Sequence, residues 1–285
     1  MRKIPYLNII LFVITIFTTL YAGAYYVDDA LQSDPYGILF TPKKIFLGVP
    51  FSVTILLILL SHEFSHYFAS KRHHTRASLP FFIPGPTIIG TFGAVIKMKS
   101  PILTRKALID IGASGPISGF IVSFIAYSIG LHFSSIVPIG GDTGGIVFGP
   151  SILSYKLASI ILGKVPEGYG ISLHPIAFAG WIGLFITSLN LIPIGQLDGG
   201  HIAYAALGQR HKALSFGLVI VLSLMGFFFW PGWIVWGALM LVIGIKHPPV
   251  LHWEYPLDKR RRIIGIVCLV IFILTFSPAP FNIVD

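Results

Sequence analysis

The sequence predicts an all-α polytopic membrane protein with about six to seven transmembrane helices and a small membrane-dipping strand region. Of its 285 residues, 54% are hydrophobic and 11% are charged, whereas a soluble domain carries roughly 25% charged residues. Apolar stretches long enough to cross about 30 Å of hydrocarbon recur along the chain. The loops between them are too short to build a core of their own, so one integral-membrane domain over residues 1–285 is expected.

The predicted spans are residues 6–27, 46–70, 107–132, 173–193, 213–229, 231–246 and 262–278. The first follows two basic residues and lacks a clear small-residue cleavage site, so a retained signal anchor is expected there. Residues 152–162 are too short to span the bilayer, which predicts a re-entrant or interfacial helix. Pro231 and Gly232 separate the fifth and sixth spans, and either a tight helical hairpin or one broken element fits that break.

The basic residues segregate strongly between alternate loops, and Lys and Arg are enriched in cytoplasmic loops of membrane proteins. The sequence therefore predicts a cytoplasmic N-terminus and, with seven spans, an outer C-terminus. Because topology accounts for the net charge of +9, no nucleic-acid partner is expected. On this assignment four basic residues lie outside (Lys43, Lys44, Lys156 and Lys164) and sixteen inside: Arg2, Lys3, Lys71, Arg72, Arg76, Lys97, Lys99, Arg105, Lys106, Arg210, Lys212, Lys246, Lys259, Arg260, Arg261 and Arg262.

A short strand is predicted within residues 88–97, between the second and third spans. Gly90 and Gly93 punctuate the segment, and Val95 and Lys97 alternate with Ile96, which is the period of a strand. The alternative is an ordinary interfacial loop. An exposed strand edge pairs with an extended peptide by strand addition.

The stretch from His62 to His66 reads H-E-x-x-H and ends an apolar run that begins at Val53. On a helix, residues four apart share one face, so both imidazoles reach one zinc ion. Glu63 lies beside them and is placed to act as a general base toward water. The alternative, two histidines without a metal, leaves costly polar groups in a membrane segment. The pattern therefore favours a zinc hydrolase.

Asp198 is the candidate third ligand. It follows a span predicted to run from outside to inside, so it emerges at the depth of His62 and His66. Pro193 breaks the helix before it, and Gly199 and Gly200 are expected to supply turns that other residues resist. The alternative is that Asp198 caps the next helix, although pairing with the H-E-x-x-H segment favours a ligand.

The cysteine and several other histidines are also residue types that bind metals, but other roles are expected for them. His201 is expected to act as a neighbour of the site that does not bind the metal itself. The single cysteine, Cys268, lies in a late apolar run, which excludes an intrachain disulfide or a thiolate site. Five further histidines near predicted span ends are expected to be interfacial: His132, His174, His211, His247 and His252.

In combination, H-E-x-x-H in an early span and N-x-x-P-x-x-x-L-D-G-G after a later one resemble the site-2 protease family of intramembrane zinc metalloproteases. Residues 46–208 resemble that family's catalytic core. The resemblance implies one Zn²⁺ per chain bound by residues matching His62, His66 and Asp198, with Glu63 as the catalytic acid and base. It also implies that the residue matching Asn190 contacts the substrate or the tetrahedral intermediate; the alternative is that this amide only caps the helix break at Pro193.

Two further segments carry the resemblance. Gly90, Thr91, Phe92 and Gly93 resemble the family's membrane-dipping strand, which implies pairing with an unwound substrate, and Gly115-Pro116-x-x-Gly119 resembles a feature at the start of a core helix. No inserted PDZ or appended CBS domain is expected, so the chain resembles the compact members, particularly the cyanobacterial and plastid branch.

The implied activity is regulated intramembrane proteolysis: hydrolysis of a peptide bond within or near a transmembrane segment of single-span membrane-protein substrates in the lipid bilayer. The active site is expected toward the cytoplasmic side. A membrane metal-ion transporter is the first alternative, but paired broken helices in two halves are not evident. The second is a non-catalytic zinc-binding membrane scaffold, which the intact Glu63 disfavours. The sequence does not identify the substrate or the oligomeric state.

Overall fold

The computed structural model describes residues 5–138 and 145–284, in which the helices occupy the apolar stretches of the sequence. Arg2 and Lys3, two of the basic residues assigned to the cytoplasmic side, lie outside the described residues. The α-helices are α1 (Tyr6–Val27), α2 (Asp29–Ser33), α3 (Val49–Arg72), α4 (Arg105–Leu131), α5 (Ile152–Ile161), α6 (Pro175–Asn190), α7 (Asp198–Leu207), α8 (His211–Phe228), α9 (Gly232–Ile243) and α10 (Lys259–Thr275).

Seven helices, α1, α3, α4, α6, α8, α9 and α10, coincide with the seven predicted spans. Within residues 5–138 and 145–284, four helical segments are long and apolar enough to cross a membrane: Tyr6–Val27, Pro42–Arg72, Arg105–Leu131 and Asp198–Phe228. By contrast, α5 has ten residues and covers about 15 Å, which is too short to span the bilayer. The chain is therefore an integral membrane protein, while the count of six to seven spans stays a prediction.

The break at Pro231 separates two helices that pack against each other as a hairpin. Gly226 of α8 lies against Ile234 of α9, and Gly237 of α9 lies against Val219 and Ser223 of α8. These pairings run in opposite directions along the two helices, so the helices are antiparallel. Of the two arrangements that the sequence left open, the hairpin is the one observed.

The centre of the bundle is formed by α4 and α6, which pack on each other and on α3. Phe178, Ile182 and Leu184 of α6 are among the most deeply buried side chains. At the periphery, α1 is fixed to α3 by a hydrogen bond between the hydroxyls of Thr19 and Ser52, 2.7 Å apart. Small residues and hydroxyl bonds of this kind join helices in membranes, where apolar burial alone favours no particular partner.

The predicted strand is present, as β2 (Thr91–Val95), and it pairs with β1 (Phe81–Pro84) in an antiparallel hairpin. Two further antiparallel pairs lie beyond the other end of α4: β3 (Ser135–Pro138) with β5 (Tyr169–Ser172), and β4 (Gly145–Phe148) with β6 (Phe281–Val284). After Val95 the chain runs beside the residues that precede β1, because the amide of Ser78 donates to the carbonyl of Lys97 at 2.9 Å. Whether the first hairpin dips into the membrane stays a prediction.

Candidate metal centre

Three ligand atoms from two distant segments converge inside the helix bundle. The Nε2 atoms of His62 and His66 lie 3.0 Å apart, and Oδ2 of Asp198 lies 3.2 Å from the first and 3.3 Å from the second. Both histidines are buried, with exposed fractions of 6% and 5%. Among the described residues, these three form the group of ligand-type side chains close enough together to share one metal ion.

The spacing and chemistry of these atoms fit zinc. Zinc in proteins is tetrahedral with bonds of about 2.0–2.2 Å to nitrogen and oxygen, so adjacent ligands lie about 3.3 Å apart. The three separations observed, 3.0–3.3 Å, are close to that value. Two imidazoles and one carboxylate also leave the fourth position open, which is the arrangement of catalytic rather than structural zinc sites.

The ring of His66 is held in the orientation that a ligand needs. Its Nδ1 lies 2.7 Å from the carbonyl oxygen of Ile111 in α4. Since a carbonyl only accepts hydrogen bonds, Nδ1 carries the proton and Nε2 keeps its lone pair. A backbone carbonyl behind a ligating histidine is a common means of fixing the tautomer in metal sites.

Two glycines of α4 make room for the histidine rings. A Cβ atom added to Gly115 would lie 2.0 Å from Nε2 of His66, and one added to Gly119 would lie 3.0 Å from Nδ1 of His62. These are the glycines of the Gly115-Pro116-x-x-Gly119 motif, which lies inside α4 and not at the start of a core helix as expected. The structure thus gives the motif a physical role, because any side chain at Gly115 occupies the space of a ligand atom.

We expect Gly115→Ala to displace the His66 ring and to weaken zinc binding by at least about 10-fold, the lower end of the range for disturbed ligand surroundings. Gly217→Ala is the matched control, because a Cβ at Gly217 on α8 meets no atom within 4 Å. Zinc content after dialysis against a chelator measures the difference. Equal retention of zinc in the two variants would contradict the packing role.

Glu63 lies next to the ligands without belonging to their group. Its side chain is 6% exposed, and its carboxylate lies close to the backbone amide of Ile96, just beyond β2. The residue predicted as the general base is therefore placed between the metal ligands and the strand segment.

The loop before Asp198 brings its carboxylate to the histidines. The preceding helix α6 ends at Asn190, and Pro193 prevents its continuation. The residue that needs a positive φ is Gly195, at +55°. The predicted role of Gly199 and Gly200 as turn formers is wrong, since both lie in the first turn of α7; a Cβ at Gly199 would lie 2.0 Å from the carbonyl oxygen of Leu191.

The N-cap position of α7 is Leu197, and Asp198 follows it as the first helical residue. Its carboxylate faces both histidine rings, as the distances above show. Its carboxylate is therefore close enough to the two histidines to share one metal ion with them.

Asn190, predicted to contact the substrate, also lies at the site. Its Nδ2 is 3.5 Å from Nε2 of His62, so the carboxamide is directed at the ligands from the end of α6. An amide there is able to donate to an oxygen that approaches the metal from the open side.

The four hairpin residues predicted to bind substrate divide into two pairs. Gly90, with φ +78°, packs against the backbone of Thr18 in α1, and the buried hydroxyl of Thr91 donates to the carbonyl of Ile83 at 2.8 Å. Phe92 is 67% exposed, and Gly93 has open space where a side chain would project. Only the second pair presents surface to a ligand.

His211, predicted to be interfacial, is buried inside the protein, and its depth in the membrane stays a prediction. The side chain is 1% exposed, and its Nε2 lies 3.2 Å from the hydroxyl of Ser215, which in turn accepts from the amide of Gly195 at 3.3 Å. His211 therefore supports the loop that carries Asp198. Its position near the end of a span did not distinguish this role from an interfacial one.

A family model described as Peptidase family M50 matches residues 50–230, more than half of the chain. Among curated proteins, the chain is similar to probable zinc metalloprotease EGY2, chloroplastic, of Arabidopsis thaliana, with 30% identity over 88% of this chain and 46% of that protein. It is likewise similar to probable zinc metalloprotease EGY1, chloroplastic, of Oryza sativa subsp. japonica, with 30% identity over 95% of this chain and 50% of that protein. The chain thus spans about half the length of these relatives.

Proposed function

The chain belongs to peptidase family M50, the site-2 protease family, and from that membership and the geometry of its metal centre we propose that it is an intramembrane zinc metalloprotease. It binds one zinc ion per chain and hydrolyses a peptide bond within or near a transmembrane segment of single-span membrane-protein substrates. The observation that carries this proposal is the convergence of His62, His66 and Asp198, with Glu63 beside them, inside an apolar bundle.

Zinc, when bound by His62, His66 and Asp198, supplies a Lewis acid that acidifies water and polarises a peptide carbonyl. Glu63 accepts the proton of the attacking water and later delivers it to the leaving amine. Asn190 donates a hydrogen bond to the oxyanion or to the substrate backbone. The apolar bundle around these groups excludes bulk water, which strengthens each electrostatic contact.

Substrate binding is proposed to use the edge of β2 that is not paired with β1. A transmembrane helix satisfies its own backbone hydrogen bonds, so a peptide bond becomes accessible only after local unwinding. An extended segment would then regain hydrogen bonds by strand addition. The chain leaving β2 passes the carboxylate of Glu63 at Ile96, so a peptide bound along this edge would run toward the catalytic groups. Phe92 and Gly93 form the exposed part of that surface.

We expect Phe92→Ala to lower kcat/KM by about 10–100-fold. The exposed ring would become buried when the substrate binds, and the variant would lose that contribution of about 1.5–3 kcal/mol to binding. Zinc content is expected to stay unchanged. The control is Phe46→Ala, since Phe46 is equally exposed at 69% but lies before α3, away from the hairpin. Equal kinetics for the two variants would remove Phe92 from the substrate surface.

The test of the activity itself is cleavage of a co-expressed panel of single-span membrane proteins by the chain. A shortened product that depends on zinc and on Glu63 supports the protease. A panel left intact, together with Glu63-dependent zinc flux into vesicles, would support the transporter in its place.

The proposed orientation places the N-terminus and the zinc site toward the cytoplasm. Its support is the excess of basic residues on one side together with contacts at one end of the bundle. Asp110, near the start of α4, pairs with His73 at the end of α3 at 2.8 Å and with Arg261 near the start of α10. These basic helix ends therefore lie on the same side, while β6 and the other end of α10 lie opposite.

A reporter fused after Asp285 is accordingly expected to be active only outside the cytoplasm, in the periplasm or a lumen. A fusion after His74, which follows α3, is the control and is expected to give the cytoplasmic signal. Paired enzymatic reporters that function on opposite sides of the membrane measure both. A cytoplasmic signal after Asp285 would mean that the number of spans is even, with the hairpin of α8 and α9 the first place to revise.

A further inference from the structure

The segment between α9 and α10, residues 244–258, folds back across α7 as a strap. The carbonyl oxygen of Gly244 approaches Gly195, in the loop before Asp198. Farther along, the ring of Trp253 lies under the guanidinium of Arg105, 4.4 Å from it. The strap is thus attached to the metal-ligand loop at one end and to the start of α4 at the other.

In the middle of the strap, the imidazole of His247 has a defined hydrogen-bonding pattern. Its Nδ1 lies 2.6 Å from the carbonyl oxygen of Pro248, so this nitrogen carries the proton. Its Nε2 therefore accepts, and it lies 2.6 Å from Nδ1 of His201. Burial lowers the pKa of His247 to about 4, which keeps the ring neutral and able to accept at neutral pH.

The same ring is stacked on α7. The rings of His247 and Tyr204 are 4.3 Å apart and inclined by 14°, and the ring of His201 meets His247 edge-on at 4.9 Å. His201 and Tyr204 are three and six residues beyond Asp198 on one helix. His201 is also wedged against α4, because a Cβ at Gly112 would lie 2.9 Å from its Cβ and 3.2 Å from the carbonyl oxygen of Asp198.

Helix α7, which makes these contacts, has few local interactions that fix the position of its first turn. It has ten residues, follows an irregular loop, and has no side-chain hydrogen bond at its N-cap, Leu197. A 3-10 turn joins the C-terminal end of α7 to α8, but its N-terminal end, where Asp198 lies, is placed by tertiary packing. A shift of its first residue would move a ligand atom, since Asp198 begins the helix.

We propose that His247 is a positioning residue for Asp198: acting through His201 and Tyr204, it holds α7 in the place where the carboxylate completes the metal site. This inference rests on the proposed zinc function. It extends the set of residues that control metal binding to the strap, whose residues do not themselves bind the metal.

The test compares His247→Ala with His252→Ala in the full-length protein in detergent. His252 is the matched control, because it belongs to the same strap but is exposed, with its ring directed at Glu254. Competition with a zinc chelator measures affinity, and the visible spectrum of the Co²⁺-substituted protein reports ligand geometry. We expect His247→Ala to bind zinc about 10–100-fold more weakly, as is usual when a group that orients a ligand is removed, and to alter the Co²⁺ spectrum, while His252→Ala matches the wild type.

His247→Gln provides the rescue, because its carboxamide oxygen is able to accept from His201, and it is expected to recover part of the zinc affinity and the wild-type Co²⁺ spectrum. A lower melting temperature for His247→Ala with unchanged zinc affinity and spectrum would overturn the proposal, since that pattern indicates a purely structural contact. Wild-type protein that binds no zinc would overturn the proposed function as well, so the two failures are distinguishable.

Discussion

Replacing Glu63 by glutamine is expected to leave the protein folded and loaded with about one zinc per chain, yet to abolish cleavage. The three atoms proposed to bind the metal belong to other residues, so the substitution removes no proposed ligand and changes the side-chain volume very little. It removes the group that accepts and returns the proton. General acid–base catalysis alone contributes about 10²–10⁴-fold to such reactions, and both proton transfers depend on the same carboxylate.

The measurement pairs zinc analysis with cleavage of a transmembrane substrate. Glu167→Gln is the control for the chemical change, because Glu167 is exposed in the loop before β5. This variant is expected to cleave the substrate at the normal rate. An inactive enzyme with an intact site should also retain substrate, so crosslinks from position 92 are expected to strengthen in Glu63→Gln. Cleavage at near wild-type rate by Glu63→Gln would make the proposed mechanism wrong.

The helical framework could be predicted from the sequence because lipid imposes a simple length requirement on apolar segments. The predicted break at Pro231 separates α8 from α9, and the short stretch after residue 150 forms the ten-residue α5. What the pattern could not supply is which helices touch. The contact of Ile111 with His66 joins residues 45 apart in sequence, and neither residue type indicates that the two are in contact.

The part of the candidate site that depends on residue spacing along the sequence could be predicted. His62 and His66 are four apart on one helix, and topology alone placed Asp198 at their depth. The support around them was not predictable in the same way. The sequence predicts turns at Gly199 and Gly200 because glycine permits positive φ, whereas in the structure their missing Cβ atoms allow close packing. For His211, sequence position gives no measure of burial, because one of the rings packed near it, that of His247 at 6.2 Å, is distant in the chain.

Replacing Asp198 has the second large expected effect, loss of the metal. Structural zinc sites with four protein ligands bind zinc with a free energy of about 10–16 kcal/mol, which is about 2.5–4 kcal/mol for each ligand. Asp198→Ala is therefore expected to weaken zinc binding by about 10²–10³-fold, with a corresponding loss of cleavage. Asp29→Ala, at an exposed residue in the first turn of α2, is the control and is expected to keep both zinc and activity.

The N-cap of α7 is Leu197, so the prediction that Asp198 could cap this helix is wrong, and Asp198→Asn separates the ligand role from a local stabilisation of the first turn. Asparagine is able to bond free helix amides about as well as aspartate, but its neutral carboxamide is a poor zinc ligand beside two imidazoles. If Asp198 binds zinc, Asp198→Asn and Asp198→Ala lose the metal together, while the melting temperature of the metal-free protein changes little. If Asp198 only stabilises the start of α7, the asparagine variant keeps stoichiometric zinc. The carboxylate oxygen within 3.3 Å of both imidazole nitrogens favours the first outcome, because a capping side chain would turn toward the amides of its own helix.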